Sequence, residues 1–147
     1  MTLKNPDLIQ DIADMHAKFG VNPVIRGLDP EKLKMFLKFR IDFLNEEYTE
    51  LVDEFEGNLG HSATKRADNT VDALIDLIVV AIGTLDAMDV DIGEAWNRVH
   101  TANMAKDPGV NPKRPNPLGL PDMIKPEGWT APTHADNVGL IAKVFVD

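Results

Sequence analysis

A chain of 147 residues is about the size of one ordinary domain, so two domains of normal size are not expected from it. Fifteen Lys and Arg against 24 Asp and Glu leave a formal charge of −9, which disfavours nucleic-acid backbones and anionic membranes as partners and suits metal cations. Hydrophobic residues at 44% are enough for a packed core, and the lack of cysteine removes disulfides, thiolate nucleophiles and thiolate zinc sites.

Glycine and proline set the element boundaries. Pro6 is expected in the first turn of a helix carrying Leu8, Ile9, Ile12, Met15 and Phe19 on one side and ending at Gly20. Residues 20–29, with Gly20, Pro23 and Gly27, read as a loop. Asp29-Pro30-Glu31 then reads as N-cap, first-turn proline and first-turn acid of a long helix running to Gly57. A second long helix starts near Ser62 and runs to about Asp89, and a third follows Asp91 and fades after Lys106. Residues 107–132 hold many of the prolines and should be extended and irregular, while Val138 to Val146 is apolar enough to dock as a short helix or strand. No long apolar run and no signal-peptide pattern is present, so a soluble intracellular protein is expected.

Chemistry concentrates on two of these helices. At about 100° per residue, Glu46, Glu47, Glu50, Asp53 and Glu54 project within roughly 120° of one another. A solvated surface is the ordinary fate of such a run. Against it, Leu37, Ile41, Leu44, Tyr48, Leu51 and Phe55 already form a core stripe, yet Phe36, Phe39 and Phe43 fall on the acidic side and need cover too. The residues that resemble free surface, among them Lys34, Lys38, Asp42, Asn45 and Thr49, lie off to one side. The acids are therefore expected to face protein, or a cleft floored by aromatics, with something positive to offset their repulsion.

The segment Val71 to Leu85 is apolar around nearly its whole circumference, the pattern of a helix buried on several sides. Asp68, Asp72 and Asp76 nevertheless form one line along it. An ionised carboxylate there is costly unless paired or metal-bound. Either Arg40, Lys65 or Arg66 neutralises the aspartates, or Asp72 and Asp76 meet Glu47 and Glu50 across an antiparallel helix pair and coordinate a divalent ion. Oxygen-only ligands suit Mg²⁺ or Mn²⁺. A di-iron bundle wants Glu-x-x-His, and none of His16, His61, His100 or His134 has an acid three residues before it.

Glu46-Glu47-Tyr48-Thr49-Glu50 followed by acids on a second, apolar helix resembles the all-α nucleoside triphosphate pyrophosphohydrolases, the superfamily of MazG-like, dimeric dUTPase and phosphoribosyl-ATP pyrophosphohydrolase-like proteins. Met15 to Gly20 is similar to the entry helix of the phage-type and bacterial members, and Phe39-Arg40 to the Arg that precedes their acids. Residues 98–106 (R-V-H-T-A-N-M-A-K) and Lys125 to Trp129 are similar to their Val-His-x-x-Asn-Met-x-Lys and Lys-Gly-aromatic segments, so the resemblance spans roughly residues 11–132. One departure concerns Ala73, which stands where many members carry the first acid of Glu-x-x-Asp; Asp72, on the same face, is the nearest substitute.

The resemblance implies an all-α fold: about four helices per chain with a proline-rich extended segment, completed by oligomerisation. It implies one domain over residues 1–147, in which residues 106–135 lie irregularly over the active site. The implied reaction converts a (d)NTP to the monophosphate and pyrophosphate with Mg²⁺, for which Mn²⁺ can substitute. Glu47, Glu50, Asp72 and Asp76 are the implied metal ligands, and Glu46 and Glu47 the catalytic pair, Glu46 holding a second ion or orienting the attacking water. Arg40, Asn103, Lys106 and Lys125 are the implied phosphate or ribose contacts. His16, Phe19 and Phe39 are offered for the base pocket and Trp129 for stacking, although aromatic residues more often pack in their own domain. A homodimer or homotetramer in the cytoplasm, that of the host if a phage encodes it, completes the expectation, without nucleic acid or membrane. The competing readings are a non-catalytic acidic helical interaction module and, among enzymes, phosphoribosyl-ATP as substrate.

Overall fold

The computed structural model describes residues 4–145. They fall into two compact units: a helical one, from the segments up to Ile92 and from Val138 onwards, and a second formed by Gly93–Asn137. The fold is all-α apart from one small ladder.

In the helical unit, α1 (Leu8–Phe19) is capped by Asp7, whose side chain accepts from Gln10 N at 3.0 Å, and ends at Gly20 with φ of 66°. Pro6 therefore precedes the cap instead of standing in the first turn. The expected loop 20–29 contains a short helix, α2 (Val21–Arg26). Pro23 sits in its first turn, where a missing N–H leaves nothing unsatisfied, so here proline does not mark a break. The long helix α3 (Pro30–Glu56) starts on Asp29 with Pro30 in the first turn and ends at Gly57, and α4 (Ala63–Ala87) starts on Ser62. α4 stops short of the expected Asp89, a non-glycine residue at φ 58° whose carboxylate is gripped by the Arg26 guanidinium at 2.7–3.1 Å.

The short turn 57–62 makes α3 and α4 an antiparallel pair, with α1 packed on α4. The core lies toward the other end: Leu33, Ala87 and Met88 are almost fully buried with Ile25 and Val144, and Phe36, Leu37, Leu140 and Ile141 pack around them. The expected C-terminal element is a 3-10 helix (Gly139–Lys143), docked by a hydrogen bond from Leu140 N to Met88 O at 2.7 Å; Val146, included in that expectation, lies outside the described residues.

The expected core stripe of α3 is only partly buried. Phe55 is 80% exposed, and Ile41 and Tyr48 on α3 and Val71, Leu74, Ile75 and Ile78 on α4 are exposed as well. Two helices of this length cannot cover both faces of each other, so the outward faces stay bare within one chain.

A buried carboxylate locks the closed end of the pair. Glu54, 2% exposed, meets His61 Nδ1 at 2.8 Å and accepts from Asn69 Nδ2 at 2.7 Å. Arg66 donates to the carbonyls of Glu54 and Phe55 at 2.8 Å each, capping the end of α3. Burial alone would raise the Glu54 pKa; the hydrogen bonds from His61 and Asn69 and the nearby His61 and Arg66 charges outweigh it and hold the group below its ordinary value. A carboxyl depressed in the folded state adds stability above its unfolded pKa of about 4.3, and this is lost as pH falls through the lower folded value. The melting temperature should therefore drop on acidification below about pH 4. Glu54→Gln should melt lower at neutral pH and lack that part of the slope; melting curves that coincide with wild type at every pH would remove Glu54 from this role.

In the second unit, α5 (Ile92–Met104) ends two residues before the expected Lys106. The segment read as irregular contains a short antiparallel ladder, β1 (Asp107–Gly109) with β2 (Asp122–Ile124), pairing Asp107 with Ile124 and Gly109 with Asp122. Arg114 grips Asp122 with both prongs at 2.7–2.9 Å. The chain then returns along α5. Trp129 Nε1 donates to Ala102 O at 2.8 Å, and Arg98, already paired with Glu94, donates to Thr133 O at 3.0 Å and to Asp136 at 2.6 and 3.0 Å.

Candidate active site

The α3–α4 pairing brings Glu47 of α3, with its neighbour Glu50 beside it, into electrostatic contact with Asp72 and Asp76 of α4. Glu47 is half-buried, and its Oε2 is shut off from solvent with no hydrogen-bond partner among the described residues. Burial raises the Glu47 pKa first, followed by the charges of Glu50, Asp76 and Asp72 and a hydrogen bond with Glu50. Asp76, also half-buried, is raised by burial and then by the charge of Asp72 and a hydrogen bond with it. Such upward shifts mark carboxylates that lack a counter-charge.

The line of aspartates runs from surface to interior, not wholly buried as the sequence suggests. Asp68 is exposed and pairs with Lys65 at 3.0 Å, Asp72 is exposed, and Asp76 faces inward. Neither Arg66, which caps α3, nor Arg40 pairs with Asp72 or Asp76 among the described residues. The four acids are neighbours without forming a finished cage: no group of three or more His, Cys, Asp or Glu among the described residues stands ready to hold a metal ion. Their all-oxygen donor set and the orphaned Glu47 oxygen nevertheless fit a hard divalent cation.

Beside them is a groove of about 510 Å³ lined by Phe39, Asp42, Phe43, Asn45, Glu46, Thr49 and Glu50. Its aromatic side consists of Phe39 and Phe43, whose ring centroids are 4.3 Å apart at 51°. Glu50 belongs to both groove and acid cluster, which makes it the junction of the site. Asp42, Asn45 and Thr49, read from the sequence as plain surface, share this groove.

One layer along the helices, Arg40 lies seven residues before Glu47 and so on the same face of α3. Its Nε donates to Thr84 Oγ1 and its Nη2 to Val80 O, both at 3.0 Å, and burial lowers its pKa from the ordinary guanidinium value. Gly83 permits this approach: a Cβ there would lie 2.6 Å from Arg40 Nη2 and 3.3 Å from His16 Nε2. His16, 5% exposed, meets Asp86 Oδ2 at 2.8 Å through Nδ1, and Asn22 Nδ2 donates to the same oxygen at 3.0 Å. Arg40 and His16 are thus brought together. Phe19 is not joined to them by any described contact; its ring is exposed, with the Lys18 ammonium 5.6 Å from its centroid. Sequence reasoning missed Asp86 and Asn22. Asp86 carries a signal, as a further acid in the apolar helix, whereas Asn22 lies where glycine and proline predict a loop.

In the second unit, Asn103, Lys106, Lys125 and Trp129 assemble. Lys106 Nζ donates to Asn103 Oδ1 at 3.1 Å, and the ammoniums of Lys106 and Lys125 each lie 5.1 Å from the Trp129 ring centroid. Arg98, which fixes the return segment, was also missed, although it lies inside the 98–106 motif.

An all-α chain whose antiparallel helix pair sets Glu47 against Asp72 and Asp76 defines the class: this is an all-α nucleoside triphosphate pyrophosphohydrolase fold. A family model described as phosphoribosyl-ATP pyrophosphohydrolase matches residues 26–103, more than half of the chain, and the protein belongs to that family. No curated protein matches it. Membership makes it a hydrolase of the nucleotide pyrophosphohydrolase kind, acting on phosphoanhydrides of nucleotides. Among the described residues no helix is long and apolar enough to cross a membrane.

Proposed function

We propose that the protein converts a (d)NTP to the (d)NMP and pyrophosphate with Mg²⁺, Mn²⁺ being able to substitute. The observation that carries this reading is the acid cluster, in which the Glu47 carboxyl is raised by burial and by the charges of Glu50, Asp76 and Asp72, and the Asp76 carboxyl by burial and by Asp72, with no cation paired to either among the described residues. Glu47, Glu50 and Asp76, with Asp72 in place of the missing acid at Ala73, are the residues to hold the ion. Bound there, it neutralises phosphate charge, the main requirement of phosphoryl transfer. Glu46, in the groove next to Glu50, orients the attacking water and takes its proton, unless it holds a second ion. The water oxygen attacks the α-phosphorus, the bond to the bridging oxygen breaks, and pyrophosphate leaves. Arg40, Asn103, Lys106 and Lys125 bind phosphate or ribose oxygens, and Phe39 and His16, with Phe19, serve the base.

Phosphoribosyl-ATP is the second reading, favoured by the family match. Against it, the match omits α1 with its buried His16 and the whole segment after residue 103, which carries Lys106, Lys125 and Trp129. The bare outward faces of α3 and α4 support a homodimer or homotetramer, which requires a sedimenting species heavier than the 16.2 kDa chain. A cytoplasmic setting, where nucleoside triphosphates are held, goes with this function.

The deciding assay takes the common dNTPs and NTPs and phosphoribosyl-ATP, with Mg²⁺ or Mn²⁺, and separates pyrophosphate from orthophosphate. Pyrophosphate from at least one (d)NTP is expected. Turnover of phosphoribosyl-ATP alone selects the second reading, and orthophosphate as the primary product refutes the bond assignment. No turnover with either metal leaves a non-catalytic acidic module.

A further inference from the structure

Lys106 and Lys125 are far apart in sequence, yet each holds its ammonium 5.1 Å from the centroid of the Trp129 ring, within the roughly 6 Å reach of a cation–π contact. Neither makes an ion pair with a carboxylate among the described residues; the nearest compensation is the charge of Asp122, which Lys106 feels at longer range and which Arg114 already grips, so the two cations drawn to one ring have no direct acidic partner there. The ring is the fixed partner. Its N–H is bonded to Ala102 O, one of the last four carbonyls of α5, and Arg98 pins the same return segment at Thr133 and Asp136. The negative end of the α5 dipole favours cations at this place too. A nucleobase stacking on Trp129 would have to displace the ammoniums already there. Residues 93–137 also hold equal numbers of acidic and basic side chains, so this stretch does not share the surplus of negative charge that the chain carries elsewhere.

We propose that Trp129 is a positioning residue: its ring holds Lys106 and Lys125 as a pre-organised pair for neighbouring oxygens of a polyphosphate, instead of stacking on the base. The inference rests on the reading that these lysines meet the substrate's phosphates.

The test uses the full chain carrying Trp96→Phe, which removes an exposed indole and leaves Trp129 as the only tryptophan. Inorganic tripolyphosphate is titrated in EDTA, with binding read by Trp129 emission and by calorimetry. Saturable binding is expected, at least about tenfold weaker in Lys106→Ala and in Lys125→Ala. Trp129→Leu should bind about five- to thirtyfold more weakly, with Trp129→Phe recovering most of the loss. Since Trp129→Leu also removes a packing group, the sharper arm replaces Trp129 with mono-, di- and trifluorotryptophan, which drain the ring's π density and keep its shape and N–H. Affinity should fall stepwise along that series, and the KM of the preferred nucleotide should rise in step with kcat little changed. A flat series, with the lysine variants still impaired, overturns the role of Trp129 and leaves the phosphate reading standing. No tripolyphosphate binding by a protein that melts normally overturns both.

Discussion

Replacing Glu50 by glutamine lowers kcat/KM for the preferred nucleotide by about a hundred- to a thousandfold, the scale of losing a major electrostatic contact in a transition state, and leaves the helices folded. The size follows from its position. Glu50 is the residue shared by the acid cluster and the groove that carries Glu46, so the substitution disturbs both the ion and the approach of water. The fold should tolerate the change, since Glu50 is exposed and its negative charge pushes the Glu47 carboxyl up. Removing that charge relieves repulsion, so the variant should melt no lower than wild type in EDTA. With metal the order reverses. A ligand that binds only the folded state stabilises it by RT ln(1 + [L]/Kd), so wild type should gain melting temperature with each increment of Mn²⁺ or Mg²⁺ and Glu50→Gln should gain less. Wild-type melting curves indifferent to both ions, and unchanged by the substitution, would dispose of the metal site.

The acid cluster was legible because local chemistry writes most of it. Asp29, Ser62 and Gly57 fix where α3 and α4 begin and turn, and spacings of three and four then put Glu47 with Glu50 on one side of α3 and Asp72 with Asp76 on one side of α4. Which aspartate turns inward depends on how the two helices are rotated against each other, and no pattern within one helix contains that. Hence Asp72 is exposed although it lies in the same apolar stretch as Asp76, while Asp68 is exposed among the polar residues Lys65, Arg66, Asn69 and Thr70. The α2 helix was hidden by Pro23, which punctuates a chain when it falls inside a helix but not in a first turn. The clusters of His16 with Asp86 and of Arg98 with Asp136 join residues 70 and 38 positions apart, pairings that side-chain periodicity does not encode. Lys106, Lys125 and Trp129 were named individually through the family resemblance; their meeting on one ring depends on the return of the chain along α5.

The largest loss of stability from a single methyl group is expected at Gly139. Its φ of 51° is left-handed, and a Cβ there would lie 2.1 Å from Met88 O and 2.7 Å from both C and O of Asp89. These are backbone atoms, so no rotamer change makes room. Met88 O also accepts the Leu140 N–H that docks the 3-10 helix, and Met88 is itself fully buried, so separating the two segments breaks that bond and uncovers the core beneath Leu140, Ile141 and Val144. Left-handed backbone alone costs a non-glycine residue about 1–2 kcal/mol. With the lost docking added, Gly139→Ala should lower unfolding stability by about 2–5 kcal/mol, comparable with truncating a large core side chain. Gly20→Ala is the control: at φ 66° it meets the same backbone penalty, yet a Cβ there finds nothing within 4 Å, so it should lose only about 1–2 kcal/mol. Urea unfolding of both variants measures the difference, and limited proteolysis locates it, with cleavage around residues 138–145 rising in Gly139→Ala while the helical signal persists. Equal losses in the two variants would mean that the 3-10 helix is not seated on Met88, and would detach the C-terminal segment from the core around Leu33.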